Sequence, residues 1–502
     1  MYIAYDVKNG VEYAKLYTSK RDGTRTFKDY INLGRVLDKE GGIYQNRERG
    51  IFVYDLESNT YSSAPPEIKP PTKGARKESL IVDFGDVFLL DSFIRNSGII
   101  DTIDAIGYGN PDTLKAMLSY YILCSMSNRY AQDWWEGSYA RILYPNASLS
   151  SQRISDFLAA VGDEYSQREF FKSYFNLLER SGNRTENILI DSTGLPNSIH
   201  FPLTAISNHN GEINNEVRLI YVVQQNTGLP IYFRYCPGNV IDATTLIRCL
   251  AELKEQGINT KFAILDAGYY MEENINEFYG SKISFITRLK ENLTLYKELV
   301  AGHLGTLESK ENLVEYNGRY VYLKCVACQL CGHSAYAYVG IDIDRKSSEA
   351  RNTFRRAKGK KLTNDQVYDA IQKQGVFILI SSRRIASDKV LPLYYTRQQI
   401  EQVFDLGKNY ADLLPLRVHT EETFRGHLLV TFVATVVLKK IQDALKNSAI
   451  TPMSMFLNLR NQKCKVYQDK VITQEAFKKA NDCYKLFKIK CPVTIPNETG
   501  CG

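Results

Sequence analysis

The feature that most constrains the fold is a series of short apolar runs, two of which end in an acidic residue. Residues 187–191 read Asn-Ile-Leu-Ile-Asp, and residues 261–266 read Lys-Phe-Ala-Ile-Leu-Asp. Between them, residues 216–225 and 229–235 have the composition of strands and are joined by Asn-Thr-Gly, which is a hairpin signal. Short runs bounded by turn residues predict buried strands of a common sheet.

Helical spacing appears between the later strands. Asp242 can cap a first helix, a second helix is predicted near residues 273–278, and a strand is predicted over 283–288. Strand, hairpin of two, helix, strand, helix, strand is the order of the ribonuclease-H-like fold. Because the first and fourth strands are neighbours in that fold, we predict that Asp191 and Asp266 lie side by side.

A third acidic residue lies on a helix predicted over residues 394–408. Four residues spaced +3, +4 and +7 fall within an arc of roughly 60° on one face of this helix. They are Tyr394, Arg397, Glu401 and Lys408. The opposite face is apolar and is expected to be buried. A carboxylate can hold a divalent metal, and Arg and Lys can hold phosphate oxygens, so the pattern is typical of metal-dependent phosphoryl transfer on nucleic acid.

Asp191, Asp266 and Glu401 would together supply the three carboxylates that such a site needs. Two Mg²⁺ ions about 3.5–4 Å apart require a set of this kind, because hard cations prefer oxygen ligands. Taken singly, an Asp at the end of a strand is more often a turn or cap residue than a ligand. The order of elements and the helix face together favour the metal interpretation.

These residues also carry a resemblance to a known family. The spacing Tyr394-x2-Arg397-x3-Glu401-x6-Lys408 resembles the Tyr-Arg-Glu-Lys signature of DDE transposases from bacterial insertion sequences, in the branch with a β-rich insertion before the catalytic Glu. Supporting matches are Ile190-Asp191-Ser192-Thr193, Pro237-Gly238-Asn239-x2-Asp242-x3-Leu246, Leu265-Asp266-x-Gly268-Tyr269 and Arg425-Gly426-His427-Leu428. The resemblance covers roughly residues 185–440. One departure is Ala267, where many relatives carry Arg.

The resemblance implies roles for individual residues. Asp191, Asp266 and Glu401 would be the catalytic triad that binds two Mg²⁺ ions, for which Mn²⁺ can substitute. The signature residues that would contact phosphates of the transposon end are Tyr394, Arg397 and Lys408. Further candidate DNA contacts are Arg288 and Lys290 near the end of a predicted strand, and Arg355 and Arg356 in a basic stretch.

The activity implied by the resemblance is cleavage of the ends of an insertion sequence and their joining to target DNA by Mg²⁺-dependent transesterification. The implied partners are the terminal inverted repeats and target DNA, with a homodimer holding paired ends. Two alternatives stay open from the sequence. One is a non-catalytic, domesticated transposase-like protein that binds DNA without cutting it. The other is a structure-specific nuclease on the same fold.

At 502 residues the chain is too long for one hydrophobic core, so several folding units are expected. The predicted class is α/β: a ribonuclease-H-like core interrupted by a mainly β insertion and preceded by a β-rich module and a helical domain. The predicted segments are a β-rich N-terminal module (1–63), a linker (64–78), a helical DNA-binding domain (79–180), the first part of the core (181–292), a β-rich insertion with a basic arm (293–373), the second part of the core (374–447) and a Lys-rich tail of helical pattern (448–502).

The charge is concentrated in one stretch. Residues 345–361 contain eight Lys or Arg and one Glu, so their net charge of +7 equals that of the whole chain. Contact with phosphate and a solvated helix face are about equally good accounts of such a run. The N-terminus carries no secretory pattern, and the longest apolar run, 428–438, is too short to span a membrane. Ten cysteines then indicate reduced thiols in a cytoplasm, where a DNA-binding protein would be nucleoid-associated.

Three smaller groups of residues also have side chains that could serve a function. Cys325, Cys328, Cys331 and His333 are four soft ligands in nine residues; zinc is one interpretation, and ordinary cysteines of a β segment are the favoured one. Trp134-Trp135 could stack on bases, although core packing is favoured. His200 and His209 lie after the first acid and could approach the site.

Overall fold

A computed structural model gives the structure of the chain for residues 1–8, 11–22, 25–65, 80–182, 186–197, 203–209, 212–359 and 373–497, with single residues 68, 367 and 371. It divides into two compact units, Met1–Ser79 and Leu80–Gly502, and each is described by itself. The predicted linker falls mostly outside the described residues. Helices and sheets are both present, which confirms the predicted mixed α/β class.

Within its described residues, the first unit is a six-stranded antiparallel sheet in which each strand pairs with the next in the chain. The strands are β1 (Tyr2–Lys8), β2 (Val11–Asp22), β3 (Arg25–Asp38), β4 (Ile43–Asn46), β5 (Gly50–Asp55) and β6 (Thr60–Ser63). Alternating apolar side chains supply a small core of its own. That core comprises Ala14, Leu16, Leu33, Tyr44, Phe52 and Tyr54.

The second unit begins with β7 (Leu80–Asp83) and continues as helices to residue 180. The helices are α1 (Gly85–Asn96), α2 (Ile99–Asp104), α3 (Pro111–Leu123), α4 (Ala131–Gly137), α5 (Ala140–Leu143), α6 (Ser151–Val161) and α7 (Glu164–Arg180), with a 3₁₀ turn at Asn128–Tyr130. Side-chain caps set two of the starts. The Asn110 carboxamide oxygen accepts the Thr113 N–H, and the Asp163 carboxylate accepts the Ser166 N–H.

A large mixed sheet forms the centre of the described part of the second unit. Its strands are β8 (Asn187–Pro196), β9 (Ala205–His209), β10 (Glu212–Gln224), β11 (Pro230–Pro237), β12 (Phe262–Leu265), β13 (Ser284–Arg288), β14 (Leu313–Tyr316), β15 (Arg319–Leu330), β16 (His333–Asp342) and β17 (Val376–Ser381). Their order is β11-β10-β8-β12-β13-β17-β16-β15-β14, and β9 pairs with β10. The two acid-ending strands β8 and β12 are parallel neighbours with Ile190 opposite Leu265, so their predicted adjacency is confirmed.

Further helices complete the described part of the second unit. They are α8 (Asp242–Glu255), α9 (Glu272–Gly280), α10 (Thr294–His303), α11 (Ile343–Gly359), α12 (Ser387–Tyr395), α13 (Gln398–Tyr410), α14 (Glu421–Leu445), α15 (Pro452–Arg460) and α16 (Lys478–Leu486), with 3₁₀ turns at Ala267–Tyr269, Leu304–Thr306 and Lys310–Asn312. Helix α14 is buried over most of its length. Its Phe432 contacts Phe171 of α7, Tyr221 of β10 and Phe233 of β11, so α14 joins the helical segment to the sheet.

None of the helices in the described part of the chain combines the length and the apolar character that crossing a membrane requires.

The described residues of segment 293–373, which was predicted as a mainly β insertion with a basic arm, contribute three strands to the central sheet and form helices α10 and α11. Strands β14 to β16 extend the central sheet, because β17 pairs with β13 along one edge and with β16 along the other. The basic arm begins as helix α11. Asp342 accepts the Arg345 N–H at the start of this helix, and the Arg345 side chain pairs with Glu349 one turn later. The side chains from 356 to 359 and most of 360–372 lie outside the described residues.

The predicted continuous helix over residues 394–408 is wrong. Helix α12 ends at Tyr395, and α13 begins at Gln398. The chain tightens between them, because the Thr396 N–H bonds to the Leu393 carbonyl and the Arg397 N–H bonds to the Tyr394 carbonyl, both over three residues. The Thr396 hydroxyl adds a bond of 2.6 Å to the Leu393 carbonyl. Tyr394 therefore lies on a different helix from Glu401 and Lys408, and Arg397 caps α13.

The Lys-rich tail was predicted to be helical, but it also contains strands. Strands β18 (Lys463–Val466), β19 (Lys470–Thr473) and β20 (Thr494–Pro496) form a sheet with β7 in the order β20-β19-β18-β7. Buried Cys464, Val466 and Val471 alternate with exposed residues, which is the period of a strand. The tail thus closes onto the first strand of the second unit.

Candidate active site

The three acidic residues are carried by three different elements. Asp191 lies within β8 directly after three buried apolar residues. Asp266 follows β12 and caps the 3₁₀ turn at Ala267–Tyr269. Glu401 is in the first turn of α13. The parallel pairing of β8 and β12 puts the first two acids at the same edge of the sheet, and α13 supplies the third from across that edge.

The guanidinium of Arg397 lies among these acids. Its Nη1 is 2.8 Å from Asp191 Oδ2 and 3.7 Å from Asp266 Oδ1. Its Nη2 is 3.3 Å from Glu401 Oε1. The structure therefore brings together the three predicted acids, and one cation faces all of them. Three carboxylates converging on one guanidinium make a strongly acidic centre.

Burial raises the pKa of Asp191 to about 6, and the Arg397 guanidinium and the Ser192 N–H act in the opposite direction. The neighbouring Asp266 and Asp242 carboxylates add to the rise. Asp191 therefore keeps its charge near neutral pH only because Arg397 and the backbone N–H compensate for its burial.

Two recesses open on either side of Arg397. One is a cavity of about 130 Å³ lined by Asp266, Arg288, Asp342, Arg345, Phe377, Leu379, Tyr394, Tyr395, Arg397, Gln398 and Glu401. The other is a wider groove of about 610 Å³ lined by all three acids, Arg397, Lys408 and residues of β8 and β10. The acids thus face a space that a polymer can enter.

The predicted phosphate contacts differ in where they lie. Lys408 lines the groove, and its Nζ donates to the Thr193 hydroxyl at 2.6 Å; burial lowers its pKa. Tyr394 is buried, with a pKa raised to about 12 by burial, and it lines the smaller cavity with Arg288. Arg397 faces the acids. Tyr394 is therefore reached through the cavity and not from the open groove.

The remaining predicted DNA contacts are not brought to this centre. Lys290 is half-buried and lines neither recess, and Arg355 is exposed on α11. The Arg356 side chain lies outside the described residues, as do His200 and the side chain of His209. Arg288, by contrast, lines the smaller cavity together with Asp266 and Glu401.

Several residues behind Asp191 were missed as parts of the site. Arg218 donates through Nη1 to Asp242 Oδ1 at 2.9 Å and through Nη2 to Glu216 Oε1 at 3.2 Å. Ser192 donates to the same Asp242 oxygen at 2.6 Å. Asp242 was predicted to cap α8, but its side chain makes no cap bond there, because it faces Ser192 and Arg218. The sequence feature that could have identified Asp242 as part of the site is the Pro237-Gly238-Asn239-x2-Asp242 motif.

The cysteine group is not assembled as a zinc site. His333 bonds through Nε2 to Asn276 Oδ1 at 3.1 Å and stacks on Tyr279, while Cys331 faces the Tyr270 hydroxyl. Across the described residues no group of three or more His, Cys, Asp or Glu side chains stands ready to hold a metal, and that includes the three acids around Arg397.

The tryptophans pack within the fold. Trp135 donates through Nε1 to the Tyr144 carbonyl, and Trp134 makes an edge contact with buried Tyr120.

Comparison with known proteins gives two findings and one absence. No curated protein matches the sequence significantly. Among solved structures, the chain is similar to the cryo-EM structure of a piggyBac transposase synaptic complex with hairpin DNA, at 10% identity over 80% of this chain and 79% of that one, with a TM-score of 0.38. A score of this size does not establish a shared fold.

The match to a family is of a different kind. Residues 183–437, about half of the chain, match the family described as "Transposase DDE domain". The matched range includes β8, β12 and α13, which carry the three acids, and it extends into α14. The chain therefore belongs to the DDE transposase family.

Proposed function

We propose that this protein is an active transposase of a bacterial insertion sequence, in the branch with the Tyr-Arg-Glu-Lys signature. It would cleave the ends of its element and join the 3′-hydroxyls to target DNA by Mg²⁺-dependent transesterification. The observation that carries the proposal is the convergence of Asp191, Asp266 and Glu401 on one guanidinium at the edge of a groove.

The donor set fits divalent metal ions, which members of this family generally use. Its three carboxylates are hard oxygen ligands, and their mutual repulsion is already offset by a cation in the same place. Two Mg²⁺ ions bound by Asp191, Asp266 and Glu401 would activate the attacking oxygen and stabilise the leaving oxygen. Arg397 must give up its carboxylate partners to allow this, and a DNA phosphate is the partner of matching geometry.

The other residues of the site supply positive charge around the groove. Lys408 extends along α13 into the groove, and Arg288 lies in the adjoining cavity with Tyr394. In this proposal Lys408 and the released Arg397 hold phosphates of the transposon end, and Arg288 holds a phosphate on the cavity side. Their charges offset the repulsion between the acids and the DNA backbone.

The proposal extends to the architecture and the partners. The strand order around β8 and β12 supports a ribonuclease-H-like core formed by residues 181–292 and 374–447. The helical residues 79–180 and the exposed Arg355 on α11 would contact DNA outside the groove. The partners would be the terminal inverted repeats and target DNA, with two copies of the chain holding paired ends.

The test is cleavage of labelled terminal-repeat DNA by purified protein with Mg²⁺. We expect nicks at the element ends, strand-transfer products with target DNA, and loss of both in Asp191→Asn with end binding retained. Asp469→Asn, which changes an exposed carboxylate in the tail, should cut like the unaltered protein.

Binding without cleavage by the unaltered protein would favour a non-catalytic DNA-binding protein. Cleavage without strand transfer would favour a nuclease. Cleavage that survives in Asp191→Asn would refute the assignment of the site.

A further inference from the structure

A group of charged and hydroxyl side chains lies directly behind Asp191, and we call it the Arg218 cluster. It consists of Ser192, Ser207, Glu216, Arg218 and Asp242. Arg218 is 5% exposed and Glu216 is 4% exposed, so this is a buried ionic network. It connects β8, β9, β10 and the start of α8, which meet behind the acidic centre.

The geometry of the Arg218 cluster is held by the guanidinium. Arg218 Nη1 donates to Asp242 Oδ1 at 2.9 Å, and Nη2 donates to Glu216 Oε1 and to the Ser207 hydroxyl, both at 3.2 Å. A planar guanidinium with partners at both ends fixes the direction in which the Asp242 carboxylate points.

Asp242 is linked to Asp191 through one residue. The Ser192 hydroxyl donates to Asp242 Oδ1 at 2.6 Å, and the Ser192 N–H donates to Asp191 Oδ1 at 2.9 Å. Because Oδ1 of Asp191 is held by this N–H, Oδ2 is the oxygen that faces the acidic centre, where it meets Arg397 at 2.8 Å. The position of the Ser192 N–H therefore sets the orientation of the Asp191 carboxylate.

Asp242 also lines the groove together with the second acid-bearing segment. Asp242, Asp266, Gly268 and Tyr269 all border the groove of about 610 Å³. Room for the cluster comes from a glycine of β8, since a Cβ on Gly194 would lie 1.9 Å from Glu216 Oε2.

Stability alone does not explain a buried network of this kind. Replacing buried ion pairs by apolar residues of similar volume is often neutral or stabilising, because desolvation offsets the attraction. A need to orient the side chains of the acidic centre would explain why the Arg218 cluster is present. Partners that hydrogen-bond to metal-binding residues fix the orientation of those ligands.

We infer that Asp242, held by Arg218, is a positioning residue for the acidic centre: through its bond to the Ser192 hydroxyl it fixes the orientation of the Asp191 carboxylate. This inference rests on the proposed function, since it assumes that Asp191 and Asp266 bind metal ions. It assigns to the Pro-Gly-Asn-x2-Asp motif a role in the geometry of the centre.

The test measures metal binding directly, as Mn²⁺ titrated into the protein bound to terminal-repeat DNA and followed by electron paramagnetic resonance, with binding to the DNA alone subtracted, alongside single-turnover cleavage. The variants are Ser192→Ala, Asp242→Asn and their double variant. We expect each single variant to weaken Mn²⁺ binding by about 10- to 100-fold, the usual effect of losing a partner of a metal ligand. Since both act through the same bond, the double variant should be no weaker than the poorer single variant.

The matched control is Asp86→Asn, which breaks the buried Arg460–Asp86 pair of 2.7 Å in another part of the unit. It should lower stability in urea and leave Mn²⁺ affinity unchanged. Ser192→Ala removes only one oxygen atom, so this variant tests the inference by itself if Asp242→Asn does not fold.

Mn²⁺ affinity in Ser192→Ala or Asp242→Asn equal to that of the unaltered protein would overturn the inference while leaving the proposed function intact. Failure of the unaltered protein itself to bind Mn²⁺ would instead overturn the proposed function and this inference with it.

Discussion

Replacing Arg397 by Ala is the perturbation whose outcome follows most directly from the geometry. The guanidinium pairs with Asp191 at 2.8 Å and with Glu401 at 3.3 Å, and it faces Asp266 at 3.7 Å. Its removal leaves three carboxylates together without a counter-charge. Breaking a buried pair costs roughly 3–5 kcal/mol. We expect about 3 kcal/mol here, because Asp266 and Glu401 are 41% and 57% exposed and water screens their share.

The loss should depend on pH in a defined direction. Burial raises the pKa of Asp191 to about 6, above its ordinary value of 3.8. A folded-state pKa above the unfolded value means that proton binding stabilises the fold, fully below pH 3.8 and no longer once pH has risen through 6. Without Arg397 the pKa rises further. The gap in stability between Arg397→Ala and the unaltered protein should therefore be small at pH 5 and largest at pH 8.

The assay is urea unfolding followed by tryptophan fluorescence, because both tryptophans, Trp134 and Trp135, lie in the second unit. Mg²⁺ at pH 8 should raise the stability of Arg397→Ala more than that of the unaltered protein, since it supplies the missing charge. Lys115→Ala is the control: Lys115 pairs with Asp104 at 2.9 Å and lines neither recess beside Arg397, so its stability gap should not follow the titration of Asp191. An equal gap at both pH values in Arg397→Ala, or no response to Mg²⁺, would refute the role of Arg397 as counter-charge.

Three further predictions concern single residues. Lys408→Ala should flatten the salt dependence of binding to terminal-repeat DNA by about one unit, measured by fluorescence anisotropy, because one phosphate contact is lost; an unchanged slope would contradict that contact. Burial lowers the pKa of His427 from 6.5 to about 4, so stability should fall as pH drops from 6.5 to 4, and His427→Gln should flatten that part of the urea profile. Gly194→Ala should cost about 1–3 kcal/mol by forcing Glu216 away from Arg218, whereas Gly137→Ala, in open space, should cost little.

The sequence predicted the elements whose signal is local. Apolar runs ending in Asp191 and Asp266, and the hairpin between them, have the period and the turn residues of strands, and these strands form as expected. The adjacency of β8 and β12 followed from the order of elements. The convergence of Glu401 on the other two acids was also within reach, because the spacing of its helix face pointed to the same chemistry.

Features set by long-range pairing were beyond the sequence. The Arg218 cluster joins residues up to 50 positions apart, and nothing in the local pattern of Arg218 or Asp242 shows which of them meet. Strands β14 to β16 were predicted to form an inserted subdomain. Their alternating pattern predicts strands, but it does not show that they pair with the edge of the central sheet through β17. The pairing of the tail with β7 spans about 380 residues and was hidden in the same way.

The break between α12 and α13 has a local cause that helical spacing does not capture. The Thr396 hydroxyl competes for a backbone carbonyl, which favours a tighter turn. The residues before and after this break share one amphipathic pattern of helical spacing. That pattern therefore predicted a single continuous helix. The consequence for the site is that Arg397 starts α13 with its side chain among the acids.

The central claim is that Asp191, Asp266 and Glu401 hold the same metal ions. Fe²⁺ bound in place of Mg²⁺ reacts with added hydrogen peroxide, and ascorbate returns the Fe³⁺ formed to Fe²⁺; the hydroxyl radicals released cut a polypeptide beside its metal ligands, and mass spectrometry of the fragments locates the cuts. We expect cuts near positions 191, 266 and 401 together, all suppressed by excess Mg²⁺ and all weakened in Glu401→Gln. Cuts at other positions, or cuts that persist in excess Mg²⁺, would contradict it.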